Sequence, residues 1–232
     1  MMKIKWLGQA GLLFEIGEKK IAVDPYLSDE CERLNPLSKR RMPIDPEYLS
    51  LDPDVVVLTH AHTDHTDLPT LERWLAGGGK LVLASESAWE KVRGLGKNNC
   101  VILSPGTEWT EGDVVFRAVK AYHSDDKAVG VLISAVGKTF YITGDTLYNE
   151  NIFASLPEKI YAVFLPINGR GNNMNPTDAA RFAKRTGAKW AVPLHFGMFD
   201  SMTGEEFVCE NRVIPKIYEE IRFEYENGEE IR

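Results

Sequence analysis

Four potential metal ligands fall within six consecutive residues, His60-Ala61-His62-Thr63-Asp64-His65. Imidazole nitrogen and carboxylate oxygen together suit Zn, Mn or Fe. His60 and His62 are two apart, so in an extended segment they point to one side and can grip one ion, and Asp64 shares that parity. His65 begins the turn that follows and can face a second ion nearby. A lone histidine after a strand is ordinarily a hydrogen-bonded polar residue. Four donors ending one apolar run point instead to a metal.

The cluster ends the run at residues 55–59, a continuous apolar, β-branched stretch of the kind that forms a buried central strand. Asp67 as N-cap and Pro69 in the first turn predict a helix to about residue 76. The cluster therefore sits at the C-terminal end of a strand, where open α/β sheets place their ligand sites. The other two histidines fall in the same kind of position. His123 follows a predicted strand at 114–122 and His195 one at 189–194. Asp145, in Gly144-Asp145-Thr146, follows a strand at 139–143. Taken alone, Asp145 reads equally well as a turn or cap residue. If these strands are parallel neighbours or face each other across a sandwich, all five histidines and Asp145 converge on one edge.

Residues 3–7, 12–16 and 21–24 alternate or run apolar with hairpin-length connections, a β-meander. Residues 26–53 hold several prolines, the basic cluster Lys39-Arg40-Arg41 and little periodicity. They read as a long loop with short helical pieces at the rim of a site. The basic cluster reads as a solvated face, or alternatively as an anion clamp. Further strands are predicted at 80–84, 101–103 and 161–166, with a hairpin joining 129–136 to 139–143 through Gly137-Lys138. Short helices are predicted at 86–93 and 149–156, and one at 176–185 is framed by Pro176 and Gly187. From Thr203 onward the pattern predicts an amphipathic helix disturbed at Pro215, then an edge strand at 222–226. Hairpins interleaved with helices predict an α/β layered architecture.

The chain has 232 residues and a net charge of -7, with 44% hydrophobic and 26% charged residues. This predicts one domain over residues 1–232 with a large core and excludes disordered and collagen-like classes. No apolar run is long enough to span a bilayer. The start lacks a secretory h-region, and Cys31, Cys100 and Cys209 form no CxxC, which predicts a reducing, cytoplasmic setting. The acidic balance argues against nucleic-acid and anionic-membrane partners. It leaves room for a small anionic substrate held by a local arginine, and a homo-oligomer is left open. No Gly-x-Ser-x-Gly elbow is present, so no serine nucleophile is expected.

The motif His60, His62, Asp64, His65, followed in order by His123, Asp145 and His195 and preceded by Asp24, resembles the metallo-β-lactamase superfamily of metal-dependent hydrolases. The pattern spans residues 22–197. The resemblance implies a four-layer αββα sandwich with its site on one edge of two sheets. It implies two divalent ions, Mn or Zn with Fe as a further option. His60, His62 and His123 would hold one; Asp64, His65 and His195 the other; Asp145 would bridge them and Asp24 would orient a ligand histidine. Two such ions lower the pKa of a shared water toward neutrality, readying it to attack an ester, lactone or phosphoryl centre. Asp64 and His195 are the candidate catalytic residues, Asp64 as proton acceptor as well as ligand.

Residues 166–176 join a buried strand to a helix through a Gly- and Asn-rich stretch carrying Arg170. Such a stretch suits an anion, or is an ordinary loop using Asn and Gly for turn geometry. With residues 24–29 and 194–199 it resembles the L-ascorbate-6-phosphate lactonase branch of the superfamily. That resemblance implies hydrolysis of a phosphorylated sugar-acid lactone, with Arg170, Asn172, Asn173 and Asn175 as candidates to grip the phosphate or sugar. The alternatives are a phosphodiesterase acting on a small or cyclic phosphodiester, and a non-catalytic metal-binding regulatory protein.

Overall fold

The computed structural model describes residues 2–223. Strands β1 (Met2–Gly8), β2 (Gly11–Ile16) and β3 (Lys19–Val23) form the expected meander. The long loop follows, carrying helix α1 (Glu30–Leu34), a 3-10 turn (Pro36–Ser38) and helix α2 (Pro46–Leu49). Then come β4 (Val55–Leu58), α3 (Leu68–Leu75), β5 (Leu81–Ala84), α4 (Glu86–Val92) and β6 (Asn99–Ile102). The second half contains β7 (Glu108–Glu111), β8 (Val114–Lys120), β9 (Val129–Ala135), β10 (Lys138–Ile142), a 3-10 helix (Glu150–Ser155), β11 (Ala162–Pro166), α5 (Pro176–Thr186) and β12 (Trp190–Leu194).

Two six-stranded mixed sheets result, ordered β1-β2-β3-β4-β5-β6 and β12-β11-β10-β9-β8-β7. Each is antiparallel where the chain makes hairpins and parallel where helices intervene, from β3 to β6 and from β10 to β12. The period of two explains the layering. Val55 and Val57 of β4 face the core between the sheets, while Val56 and Leu58 meet Leu71 and Leu75 of α3 and Ala88 and Val92 of α4. Across the sandwich, Phe14 of β2 packs edge-on against Phe140 of β10 and Phe164 of β11. On the outer face of the second sheet, Phe182 of α5 meets Tyr141 of β10 and Phe153. Helices thus cover both outer faces, and the four-layer αββα sandwich is present.

The segment after residue 203 departs from expectation: it forms turns and single bridges, not a helix. Gly204 has φ +89, Tyr218 has φ +64, and Pro215 removes a donor. The backbone groups of this segment bond to sheet edges instead. The amides of Tyr218 and Ile221 donate to the carbonyls of Trp6 and Ile4 on β1, and Val213 N donates to Ala191 O on β12. The segment therefore straps β1 and β12, the outermost strands of the two sheets, which would otherwise present open edges. Of the edge strand expected at 222–226, residues 222 and 223 are not in a strand and the rest lie outside the described residues.

Lys39-Arg40-Arg41 also reads differently in three dimensions. The Arg40 side chain is 6% exposed, stacks over the Tyr26 ring and donates to the carbonyls of Tyr26 and Ser28. Arg40 is a tie for the long loop and not an anion clamp, while Lys39 and Arg41 are exposed, as a solvated face requires. No helix among the described residues is long and apolar enough to cross a membrane.

Candidate metal centre

The chain leaves β4 at Leu58 and turns at once. The amides of His65 and Thr66 both donate to His62 O, at 3.0 and 2.7 Å. This turn overrides the parity expectation for Asp64. His60 and His62 stay together, but Asp64 swings away to join His65. His123, three residues beyond Lys120 of β8, approaches from the other sheet: its Nε2 is 3.1 Å from His62 Nδ1, and His60 Nε2 is also 3.1 Å from that atom. His195 follows β12 with φ +60, its amide held by Gln9 O at 2.9 Å. Its Nε2 lies 3.1 Å from Asp64 Oδ2. Three donor groups result, His60/His62/His123, Asp64/His65/His195 and Asp24/His60/His65, each with one potential ligand atom per residue within 4.8 Å of the others; the third shares its histidines with the first two.

Asp145 lies between the first two. Its Oδ1 is 3.3 Å from His65 Nε2, and its Oδ2 is 3.2 Å from His195 Nε2 and 3.9 Å from His123 Nε2. Gly144 permits this approach. Its φ is +59, and a Cβ there would fall 2.9 Å from Thr59 Cβ, on the strand end that carries His60. Behind the group, Asp24 is buried with φ +44. Its carboxylate accepts from Thr59 N at 2.8 Å and lies 2.8 Å from His65 Nδ1. That contact fixes the His65 ring and leaves Nε2 facing Asp145. An Asp24→Asn chain keeps one acceptor oxygen but loses the charge beside His65. It is expected to be less stable by about 1–3 kcal/mol in urea unfolding of the metal-free protein.

The charges are strongly coupled. Burial alone would raise the Asp64 and Asp145 carboxyls, but the adjacent His65 and His195 rings hold both far below the usual range. Burial alone would lower the histidines. For His195 the Asp145 and Asp64 carboxylates outweigh it and push the ring up to about 9; His65 rises likewise beside Asp145, Asp64 and Asp24. For His60, burial and the neighbouring His65 charge prevail, and it falls well below the ordinary histidine value. His62 is lowered by burial and by His123. The donor set, imidazole nitrogens joined by the ionised carboxylates of Asp64 and Asp145, fits divalent ions. His65 Nε2 is buried without a hydrogen-bond partner while facing Asp145, an arrangement a cation satisfies.

His62, Asp64, His123, Asp145 and His195 line a cavity of about 360 Å³ together with Leu37 and Ser38 of the long loop, Asn168, Arg170, Asn173 and Phe199, with His60 and His65 buried outside its lining. Arg170 is the one lysine or arginine in that lining. Asn173 is buried and donates from Nδ2 to Asp145 Oδ2 at 2.8 Å, so it steadies a carboxylate. Asn172 and Asn175 do not line the cavity. Asn172 has φ +64 and turns its carbonyl to within 3.2 Å of His123 Nδ1. Asn175 caps α5, accepting from Asp178 N at 2.9 Å, which uses its side chain at the helix start. A larger cavity, about 820 Å³, opens between α5 and residues 206–211. It contains no histidine and is remote from the donors, so chemistry rather than size locates the site.

Gln9 is a participant that the sequence pattern does not disclose. It occupies the β1–β2 turn with φ +50, is buried, and donates from Nε2 to Asp64 Oδ2 at 2.8 Å. Its backbone carbonyl holds His195 N, so one turn residue steadies two members of the same group. The available signal was its type: Asn, Asp or Gly ordinarily takes a positive-φ turn position.

The Beta-lactamase superfamily domain matches residues 19–196. A UPF0173 metal-dependent hydrolase of Ligilactobacillus salivarius is 31% identical over 210 residues, 85% of this chain and 86% of that protein. One from Pyrococcus abyssi is 31% identical over 223 residues, covering 89% and 91%. Among solved structures, Igni18, a metallo hydrolase from Ignicoccus hospitalis, matches with a TM-score of 0.65 and 25% identity over 84% of this chain and 83% of its own. The metallo-beta-lactamase fold protein YhfI from Bacillus subtilis shares the fold, with a TM-score of 0.70 at 21% identity and coverage of 93% and 96%. Sequence relatives, fold and the ordered His/Asp motif agree: the chain belongs to the UPF0173 metal-dependent hydrolase family of the metallo-β-lactamase superfamily.

Proposed function

We propose that the chain hydrolyses a small anionic ester, with a lactone of a phosphorylated sugar acid as the first candidate. The observation that carries this reading is the convergence of two adjoining ion-binding groups on a cavity whose single lysine or arginine is Arg170. His60, His62 and His123 would hold one divalent ion, and Asp64, His65 and His195 the second, with Asp145 shared. Bound there, such ions supply Lewis acidity and a water ready for attack at neutral pH.

The chain's own residues do the rest. Arg170 binds the anionic end of the substrate and orients the ring. Asp64, held by Gln9 Nε2, takes a proton at Oδ2, and His195 keeps that oxygen in place. Asn173 and Asp24 fix Asp145 and His65, so the site need not reorganise during the reaction. Leu37 and Phe199 add apolar surface to the cavity lining.

The test is a turnover screen of lactones, cyclic phosphodiesters and phosphorylated sugar acids, with Mn and Zn supplied separately. The expected result is lactone hydrolysis that chelation abolishes, with Arg170→Ala raising KM for phosphorylated substrates more than it lowers kcat. Turnover confined to cyclic phosphodiesters would replace the lactone assignment. Ion binding with no turnover of any class would favour a binding protein.

A further inference from the structure

We infer that Asp125 is a positioning residue that sets the ion affinity of the His60/His62/His123 group. The inference rests on the proposed ion-holding role of those three histidines. The geometry of one carboxylate carries it. Asp125 stands two residues after His123, and its Oδ1 accepts from Lys127 N at 2.9 Å, which closes the local turn. Its Oδ2 reaches across to the other sheet's loop and accepts from Ala61 N at 3.0 Å and from Ser87 Oγ, near the start of α4, at 2.6 Å.

Ala61 is the residue between His60 and His62. One side chain therefore fastens the loop that carries two of the histidines to the loop that carries the third. The peptide on the far side of Ala61 is fixed as well, because Lys91 Nζ donates to Ala61 O. His60 needs little of this help: it is buried, with Thr59 Oγ1 3.1 Å from its Nδ1. His62 is exposed, and its Nδ1 stands 3.1 Å from ring nitrogens of both His60 and His123. The His62 ring position depends on how the two loops are held relative to each other. A turn-closing aspartate would need only the bond to Lys127 N; the two bonds made by Oδ2 join separate elements.

Loss of such a supporting contact typically weakens metal binding by about 10–100-fold. The experiment is equilibrium dialysis of the full chain against buffered Zn, with bound metal counted by mass spectrometry. It is run on wild type, Asp125→Ala, Asp125→Asn, Ser87→Ala and His62→Ala, beside thermal unfolding of each metal-free protein. Wild type is expected to take up two ions and His62→Ala one. Asp125→Ala should weaken one ion by about 10–100-fold and leave the other unchanged. Asp125→Asn, which retains one acceptor oxygen, and Ser87→Ala, which leaves the Ala61 bond intact, should show smaller losses at the same ion.

Equal affinities in Asp125→Ala and wild type overturn the inference. So does an equal loss at both ions that tracks a fall in metal-free stability, since that is what a merely structural residue would give. A wild-type chain that takes up no Zn defeats the metal reading itself, and the inference with it. If Asp125→Ala does not fold, Asp125→Asn and Ser87→Ala carry the same comparison: weakening at one ion supports the inference, and none overturns it.

Discussion

Asp145→Ala is expected to lower turnover by about 10³-fold or more, while the protein stays folded and binds fewer than two ions. The size follows from position. The Asp145 carboxylate lies within 4 Å of ring nitrogens from three separate strand ends, those of His65, His123 and His195. Removing its charge leaves His65 and His195 without the carboxylate that both face, and removes the group that the two proposed ion sites would share. A loss of about 4 kcal/mol in transition-state stabilisation corresponds to that rate factor. Asp145→Asn separates charge from shape, since it keeps the volume and one acceptor oxygen. It should retain the fold with a comparable loss of turnover. Steady-state kinetics with metal counting checks both variants, and wild-type turnover in Asp145→Ala would remove the centre from its assigned place.

Ion uptake near neutral pH is expected to release about two protons, with apparent affinity rising by up to about 100-fold per pH unit until His195 has titrated. The sign follows from the metal-free state. His195 is pushed up to about 9 and His65 is raised beside its three carboxylates, so both rings carry protons at pH 7. Those protons must leave before Nε2 can bind a cation. Asp64 and Asp145 are already ionised, and His60 and His62 are already neutral, so they contribute none. Calorimetry in buffers of different ionisation enthalpy counts the protons directly. The metal-free fold should show the opposite trend. A ring with a raised pKa stabilises the folded state fully below pH 6.5, and the His195 contribution fades as pH rises through about 9. Uptake without proton release would show that these two rings do not change protonation on ion binding.

The sequence disclosed the site more fully than its surroundings. Histidines at strand ends are legible because strand ends are legible: apolar runs such as Val55–Leu58 stop abruptly at polar residues. Helix α5 is legible for a similar reason, with Pro176 at its start and Gly187 at φ +66 closing it. What failed depended on tertiary partners. The segment after Thr203 has helical periodicity, yet the unpaired edge groups of β1 and β12 compete for its amides and win. Asn175 and Arg40 carry polar groups suited to a ligand, and only the fold shows those groups engaged by a helix start and by loop carbonyls. Gln9 and Asp125 act across the gap between distant segments, so beyond the unusual residue type at the Gln9 turn no local pattern marks either.

The His60/His62/His123 and Asp64/His65/His195 groups each take members from both sheets. His60 and His62 follow β4 of the first while His123 follows β8 of the second, and Asp64 and His65 are joined by His195 after β12. Neither sheet alone completes either of these two groups. A bound ion is therefore a clasp between the two halves of the chain, and its chemical potential enters the free energy of holding them together. At 100 times the dissociation constant, one such clasp contributes about 2.7 kcal/mol to the folded state. Scarcity of the ion would loosen the joint between the sheets as well as halt the chemistry. A cell short of the metal would then register the shortage as faster proteolysis of this chain.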